Sequence, residues 1–277
     1  MEKDNIFCEE YNSLYSFFTT IESRPPTPGM MGQNSSHTNG EMEFYGTNSY
    51  EESINLMKNG YKEILPRLIS GIADSNKILS KKFTILNKAI TKNEVVGFIP
   101  NVPNALRSLP DSMINVVKAP IKRKTISITY IMSANCCQDK EIWIKAGIPL
   151  LTAIKFIERS GVQIRLFASN FCAESGNQKA LCRIKLKDYG IKLDIQKLCF
   201  PLAHPSFFRR FGFKWIETLP GINESWSSGY GHSIDGLDQR RDSFKCLHES
   251  EEFVLDAQWI ESENFEVESI LKYLNFQ

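Results

Sequence analysis

Residues 125–170, TISITYIMSANCCQDKEIWIKAGIPLLTAIKFIERSGVQIRLFASN, read as strand, loop, helix and strand in one unbroken run. In Thr125–Ile131, Ile126, Ile128 and Tyr130 alternate with Ser127 and Thr129, the period of a strand with one buried face. From about Asp139 to Ser160, Trp143, Ala146, Leu150, Leu151, Ile154 and Ile157 recur at helical spacing. Pro149 removes an interior amide, so a kink or break is expected there, and Gly161 closes the helix. Val162–Phe167 follows at once as a second strand. A strand–helix–strand run of this length favours parallel neighbours joined by a right-handed crossover.

Working toward the N-terminus, Met113–Lys118 is a further strand candidate. Ala119-Pro120 and a basic turn join it to Thr125, as in a hairpin. Pro100, Pro103 and Pro110 forbid a regular element through most of residues 95–112. Ser49-Tyr50-Glu51-Glu52 fits a capping box, with Glu52 reaching back to the Ser49 amide, and Gly60 ends the helix it opens. Residues 61–72 repeat apolar side chains at helical spacing despite Pro66. Leu79, Phe83, Leu86 and Ile90 continue the period with lysines between, the pattern of a solvated helix face. Residues 24–41, RPPTPGMMGQNSSHTNGE, read as a loop or flexible linker. They follow a short piece whose Leu14, Phe17 and Phe18 are placed to clip onto the body.

Toward the C-terminus, Leu181–Lys187 sets Cys182, Ile184 and Leu186 on one face and Arg183, Lys185 and Lys187 on the other. A charged face suits a sheet edge. Asp194–Phe213 is helical but divided by Pro201 and Pro205, and residues 219–243 form a long surface loop. Phe253–Leu255 is a short strand, and Val267, Ile270, Leu271 and Leu274 mark a closing helix. The chain thus divides into an N-terminal segment and linker (1–41), a helical region (42–94) and an α/β domain (95–277).

With 277 residues, 42% hydrophobic and 23% charged, the chain has the make-up of an ordinary globular protein. A formal net charge of +1 gives no whole-protein field for nucleic acid or membrane. The opening MEKDNIFCEEYNSLY has no apolar core behind a basic region, and no run reaches the length of a membrane span. A cytoplasmic protein is expected. Its seven cysteines are odd in number and include no C-x-x-C pair, which favours thiols over disulfides or zinc.

Ligands of open α/β sheets bind beyond the carboxyl ends of parallel strands. That rule selects Ser133 and Asn135 after the first strand, and Ser169 with Asn170 after the second. The block FPLAHPSFFRRF at 200–211 is the most unusual in composition. His204 reads either as a general base or phosphate contact, or as a buried imidazole capping the helix that starts at Pro205. Arg209 and Arg210 are able to grip a carboxylate or phosphate. Adjacent helical residues point about 100° apart, so at most one faces such a site. Asp194 is one candidate carboxylate, with Asp139 and Asp256 as other acids near the Ser133 loop. No Gly-x-Ser-x-Gly elbow or phosphate loop occurs.

The strand order, with Ser133 just past the first strand, resembles a von Willebrand factor A-type domain, whose first strand ends in Asp-x-Ser-x-Ser and binds Mg²⁺. Here Ile131 stands at the aspartate and Asn135 at the last serine, so the site is degenerate and no metal is expected. Phe44-Tyr45-Gly46-Thr47, Tyr50-Glu51-Glu52, Gly60-Tyr61, Ser133-Ala134-Asn135 and the AHPSFFRR block resemble an uncharacterised family of tailed-bacteriophage and prophage proteins. This second resemblance runs from about residue 40 to the closing helix and implies action in the bacterial host cytoplasm. The expected fold is α/β: a Rossmann-like or von Willebrand factor A-like, mostly parallel sheet flanked by helices, with a helical N-terminal region. The expected function is non-catalytic binding or assembly with a phage or host protein, without cofactor. The alternative is a nucleotide- or phosphate-processing enzyme using His204, Arg209 or Arg210, and Asp194.

Overall fold

The structure, a computed structural model, describes residues 5–30, 35–82, 89–118, 125–135, 137–234, 239, 242–243, 252–262 and 266–275. It opens with strand β1 (Asn5–Tyr11) and helix α1 (Leu14–Ser23), which Ser13 caps by accepting the Ser16 amide. Phe17 and Ile21 of α1 enter the core. The stretch expected as a flexible linker is instead built in. Met30 and Ser35 are buried, and the Ser35 amide donates to Glu217 at 2.8 Å. Composition alone carries no record of partners so distant in sequence. Residues 31–34 lie outside the described residues.

Helices α2 (Met42–Tyr45), α3 (Tyr50–Asn59) and α4 (Leu65–Lys82) follow. Ser49 caps α3 by accepting the Glu52 amide at 3.1 Å, but the Glu52 carboxylate takes the Asn48 amide rather than that of Ser49. Phe83 and Leu86, expected to extend the helical period, lie outside the described residues, and Ile90 falls in a strand. Strands β2 (Ala89–Glu94) and β3 (Ile99–Pro100), helix α5 (Val102–Leu106) and strand β4 (Met113–Lys118) come next. The three strands form a separate antiparallel sheet in the order β2-β4-β3. The expected hairpin between 113–118 and 125–131 is therefore not formed; residues 125–131 instead pair on one side with 163–169 and on the other with 252–256.

The main sheet is built from β1, β5 (Thr125–Ile131), β6 (Gln163–Ser175), β7 (Gln178–Lys187), β8 (His232–Ser233) and β9 (Glu252–Asp256). Helix α6 (Glu141–Arg159) crosses between β5 and β6, which pair in parallel with Thr125 opposite Gln163, as the sequence predicts. It runs through Pro149 as one element. The proline's cost of about 3 kcal/mol is offset by the burial of Leu150, Leu151, Ile154 and Ile157. Strand order is β1-β7-β6-β5-β9, with β8 on β6. The pairs β1/β7, β6/β5 and β5/β9 are parallel, while β6/β7 and β6/β8 are antiparallel. The fold is thus mixed α/β with a mostly parallel sheet.

Two strand expectations change. Ser169 and Asn170 lie inside β6 rather than in a loop, since β6 runs on to Ser175. β7 is interior, flanked by β6 and β1, despite its charged face. That face is compensated in place. Arg183 stacks 3.6 Å over Phe167 and reaches Glu10 at 3.3 Å, and Lys187 meets Glu158 at 2.6 Å.

The 194–213 region becomes helix α7 (Ile195–Ala203), a π-helix (Phe207–Gly212) and helix α8 (Phe213–Glu217). Helices α9 (Ala257–Ser262) and α10 (Val267–Tyr273) follow β9. One continuous core unites α4, α6, α7, α9 and α10 with the face of β5 that carries Ile126, Ile128 and Tyr130. Across the sheet lies a smaller cluster of Ile131, Cys172, Leu181, Ile234 and Val254. Among the described residues, no helix is long and apolar enough to cross a membrane.

Candidate functional site

At the carboxyl end of β5 a cavity of about 770 Å³ opens. Its first wall is the β5–α6 loop, with Ser133, Asn135 and Gln138. This loop is pinned by three bonds. The Met132 amide donates to the Ser169 carbonyl at 2.8 Å, the Trp143 indole donates to the Met132 carbonyl at 2.9 Å, and the Cys172 amide donates to the Ser133 hydroxyl at 2.6 Å.

The second wall is the far half of β6, and an irregularity sets it. The β6/β7 register shifts between Ala168 and Phe171. A bulge bends a strand and re-aims its side chains, and here Phe171 turns toward Phe208 and Phe213, ring centres 6.2 and 6.5 Å away. The π-helix crosses at that same point. Gly212 approaches so closely that a Cβ there would lie 2.5 Å from the Asn170 carbonyl oxygen. π-Helical turns carry an extra residue per turn and frequently mark functional positions. This one delivers Phe208 and Arg209 to the cavity.

The remaining walls are Phe44 of α2 and the segment 229–233. Tyr230 stacks on Phe213 with centroids 3.9 Å apart and planes 6° apart, and its hydroxyl donates to Glu217 at 2.7 Å. Gly231, at φ +74°, leaves no room for a side chain, because a Cβ would come within 2.6 Å of the Glu174 carbonyl oxygen. Burial raises the Glu217 carboxyl above its ordinary range, against bonds from Ser35 and Tyr230 that lower it.

Two sequence signposts, FYGT at 44–47 and AHPSFFRR at 203–210, prove to be one structure. The Ser206 hydroxyl donates to the Tyr45 carbonyl at 2.6 Å and lies 3.1 Å from the Thr47 hydroxyl. Gly46 packs against Pro205 where a Cβ would meet its ring at 2.4 Å. Arg209 donates to the Phe44 and Gln138 carbonyls at 2.7 and 2.8 Å and lies over the Phe44 and Trp143 rings. Arg210 donates to the Ser35, Thr38 and Thr47 carbonyls and lies over Tyr45.

The sequence candidates therefore part company. Ser133, Asn135 and Arg209 meet at the cavity, while Ser169 and Arg210 are buried behind it. His204 borders a different cavity, of about 130 Å³, with Gly46, Tyr61 and Glu63. It ends α7, its Nδ1 accepts the Ser206 amide at 3.2 Å, and burial lowers its pKa to about 3. Of the two readings of His204, the geometry matches the buried imidazole cap, at the rim of the smaller cavity rather than the larger one. Asp194 is exposed at the start of α7, where it accepts the Lys197 amide. The set of His204, Arg209 or Arg210 and Asp194 is thus not assembled in one place.

Sequence reading missed Phe44, Phe171, Phe213 and Tyr230 as lining residues. The one available clue was Gly229-Tyr230-Gly231, an aromatic residue between two turn formers. The lining includes five aromatic rings and no carboxylate. Ser133 has its hydroxyl occupied by a backbone amide, so the cavity offers apolar and aromatic contact beside neutral polar groups, the Cys137 thiol, the His232 imidazole and one buried cation, Arg209. Among the described residues, no three His, Cys, Asp or Glu side chains group as a metal would require. Residues 2–277 match the family described as a domain of unknown function (DUF7192). No curated protein and no solved structure matches the chain.

Proposed function

The chain belongs to the DUF7192 family, and we propose that it is a non-catalytic binding protein whose β5-end cleft takes an apolar segment of another protein. The observation that carries this reading is the lining. Five aromatic rings face the cavity, while the Ser133 hydroxyl and two Arg209 nitrogens at its wall are bonded to the protein's own backbone. Aromatic walls with few polar groups suit an apolar anchor. The one imidazole among the lining residues, His232, has no carboxylate beside it in that lining, so a paired acid–base set is not assembled there.

The strand order supports an A-type version of this reading. Counted from β5 and leaving aside the two-residue β8 on β6, the path runs third, second, first, fourth, the order of doubly wound sheets around their first strand, although β6 and β7 here pair antiparallel. In that arrangement the loop after the first strand is the binding edge, and Ile131, wholly buried, stands where a metal-binding carboxylate would be. We place the partner among phage or host proteins of the bacterial cytoplasm, on the resemblance carried by the FYGT and AHPSFFRR blocks.

Peptide display on the immobilised chain tests the proposal. Peptides with an aromatic or aliphatic anchor should be retained by the native chain and lost from Asn135→Trp, which fills the exposed rim of the cleft. Peptides that bind both proteins equally, or nucleotide hydrolysis that disappears in His204→Ala, would sink it.

A further inference from the structure

The smaller cavity, of about 130 Å³, lies where three elements end together. His204 closes α7, Glu141 opens α6, and Tyr61 and Glu63 belong to the turn that follows Gly60 at the end of α3. The His204 side chain, only 5% exposed, lines this cavity. Its Nδ1 accepts the Ser206 amide, so the proton of the neutral ring sits on Nε2. No described residue accepts that proton. Nε2 is not one of the sealed, unpartnered atoms of the interior, so it opens on the cavity that the ring lines. A buried donor without a partner is destabilising, and this one calls for an oxygen acceptor inside the cavity.

The rest of the polar lining is acidic. Glu52, Glu63 and Glu141 stand against one cation, Lys140, whose ammonium is already bonded to Glu43 at 3.0 Å. One Glu52 oxygen takes the Asn48 amide. The Glu63 and Glu141 carboxylates bond to no described residue. Burial raises the pKa of the Tyr61 phenol, and these two carboxylates lie near enough to raise it further. The carbonyl end of α7 adds partial negative charge at the same place. Among the described residues no three carboxylate, imidazole or thiol groups gather as a metal ion requires. Negative charge spread around a hollow suits an organic ammonium instead, which the Tyr61 ring also attracts.

We infer that this cavity is a second binding site, and that its ligand is a small primary ammonium with an oxygen acceptor on a neighbouring carbon. The ammonium meets Glu63, Glu141 and the Tyr61 ring. The acceptor takes the Nε2 proton of His204, and Leu56 and Ile144 cover the carbons between. With ~30 Å³ to a water molecule, the space is that of about four waters, which limits the ligand to about five non-hydrogen atoms.

Glycinamide, which has both groups and that size, is the probe. The full chain is labelled with ¹⁵N at histidine, and the His204 ring signals are assigned by their loss in His204→Gln. Glycinamide should move the His204 Nε2 signal saturably, with a Kd on the order of 1 mM. Ethylammonium, which lacks the acceptor, and acetamide, which lacks the charge, should each bind at least about tenfold more weakly. Glu63→Gln with Glu141→Gln should weaken glycinamide by a similar factor and leave the His204 signals of the free chain in place. Glu63→Gln alone, at an exposed position, should weaken it in the same direction if the pair disturbs folding. An unmoved Nε2 signal, an equal response to sodium chloride, equal binding of the three probes, or full binding in both variants would each overturn the inference. The site shares no lining residue with the β5-end cleft, so none of these results bears on the cleft.

Discussion

Arg209 and Arg210 adjoin in sequence and serve different ends. Arg209 joins three walls of the cleft, whereas Arg210 holds the 35–47 segment through three backbone carbonyls. Charge alone does not reveal this division, which is why the sequence offered both as ligand contacts. His204 shows the same limit, because a histidine that acts and one that caps look alike until burial is known. Burial also makes it a pH reporter. The folded chain holds the imidazole at about 3, against about 6.5 for an unfolded chain. Below pH 6.5 the unfolded chain takes up a proton that the folded chain refuses, so stability falls as pH drops from 6.5 toward 3. The loss is about 2 kcal/mol between pH 6.5 and 5. Glu217, raised by burial, acts with the opposite sign. The quantity to read is therefore the difference between the native chain and His204→Gln in urea unfolding at both pH values. Equal pH slopes in the two proteins would show that the imidazole is not the group responsible.

Among the elements, β5 and α6 were legible because their signals are local: alternation in one, a 3.6-residue period in the other. The length of β6 and the interior place of β7 were not. The far half of β6 is set by its pairing with β7 and β8, and the interior place of β7 by Glu10, Glu158 and Phe167, which meet its charged face. The cleft depends on a still less local event, the crossing of the π-helix over the β6 bulge. Gly212 is the contact point, and its Cβ-free backbone permits the approach to Asn170. Gly212→Ala should push the two elements apart and cost about 1–3 kcal/mol, the range for overpacking a tight site. It should also speed amide exchange in residues 168–172 more than in β5. Unchanged exchange there would mean that the crossing tolerates a methyl group.

Across the whole molecule, the order β1-β7-β6-β5-β9 places the first strand of the chain at one end of the sheet. No local signal announces this, because the partner of β1 lies about 170 residues along the chain. β1 covers the edge of β7, and Glu9 receives the Arg24 guanidinium at 2.7 Å and the Trp215 indole at 2.8 Å. Removing residues 1–12 should bare that edge and strand both donors. Light scattering on heating should then show aggregation at a lower temperature than for the full chain, whereas identical curves would mean that β1 is dispensable. The register Asn5 opposite Gln178 also sets a timetable for a ribosome. At roughly 5–20 residues per second, β1 waits on the order of ten to thirty seconds for its partner to be made. During that interval Ile6, Phe7 and Cys8 are an unpaired strand on a nascent chain, a segment that leaves the exit tunnel long before its partner and finds its place late.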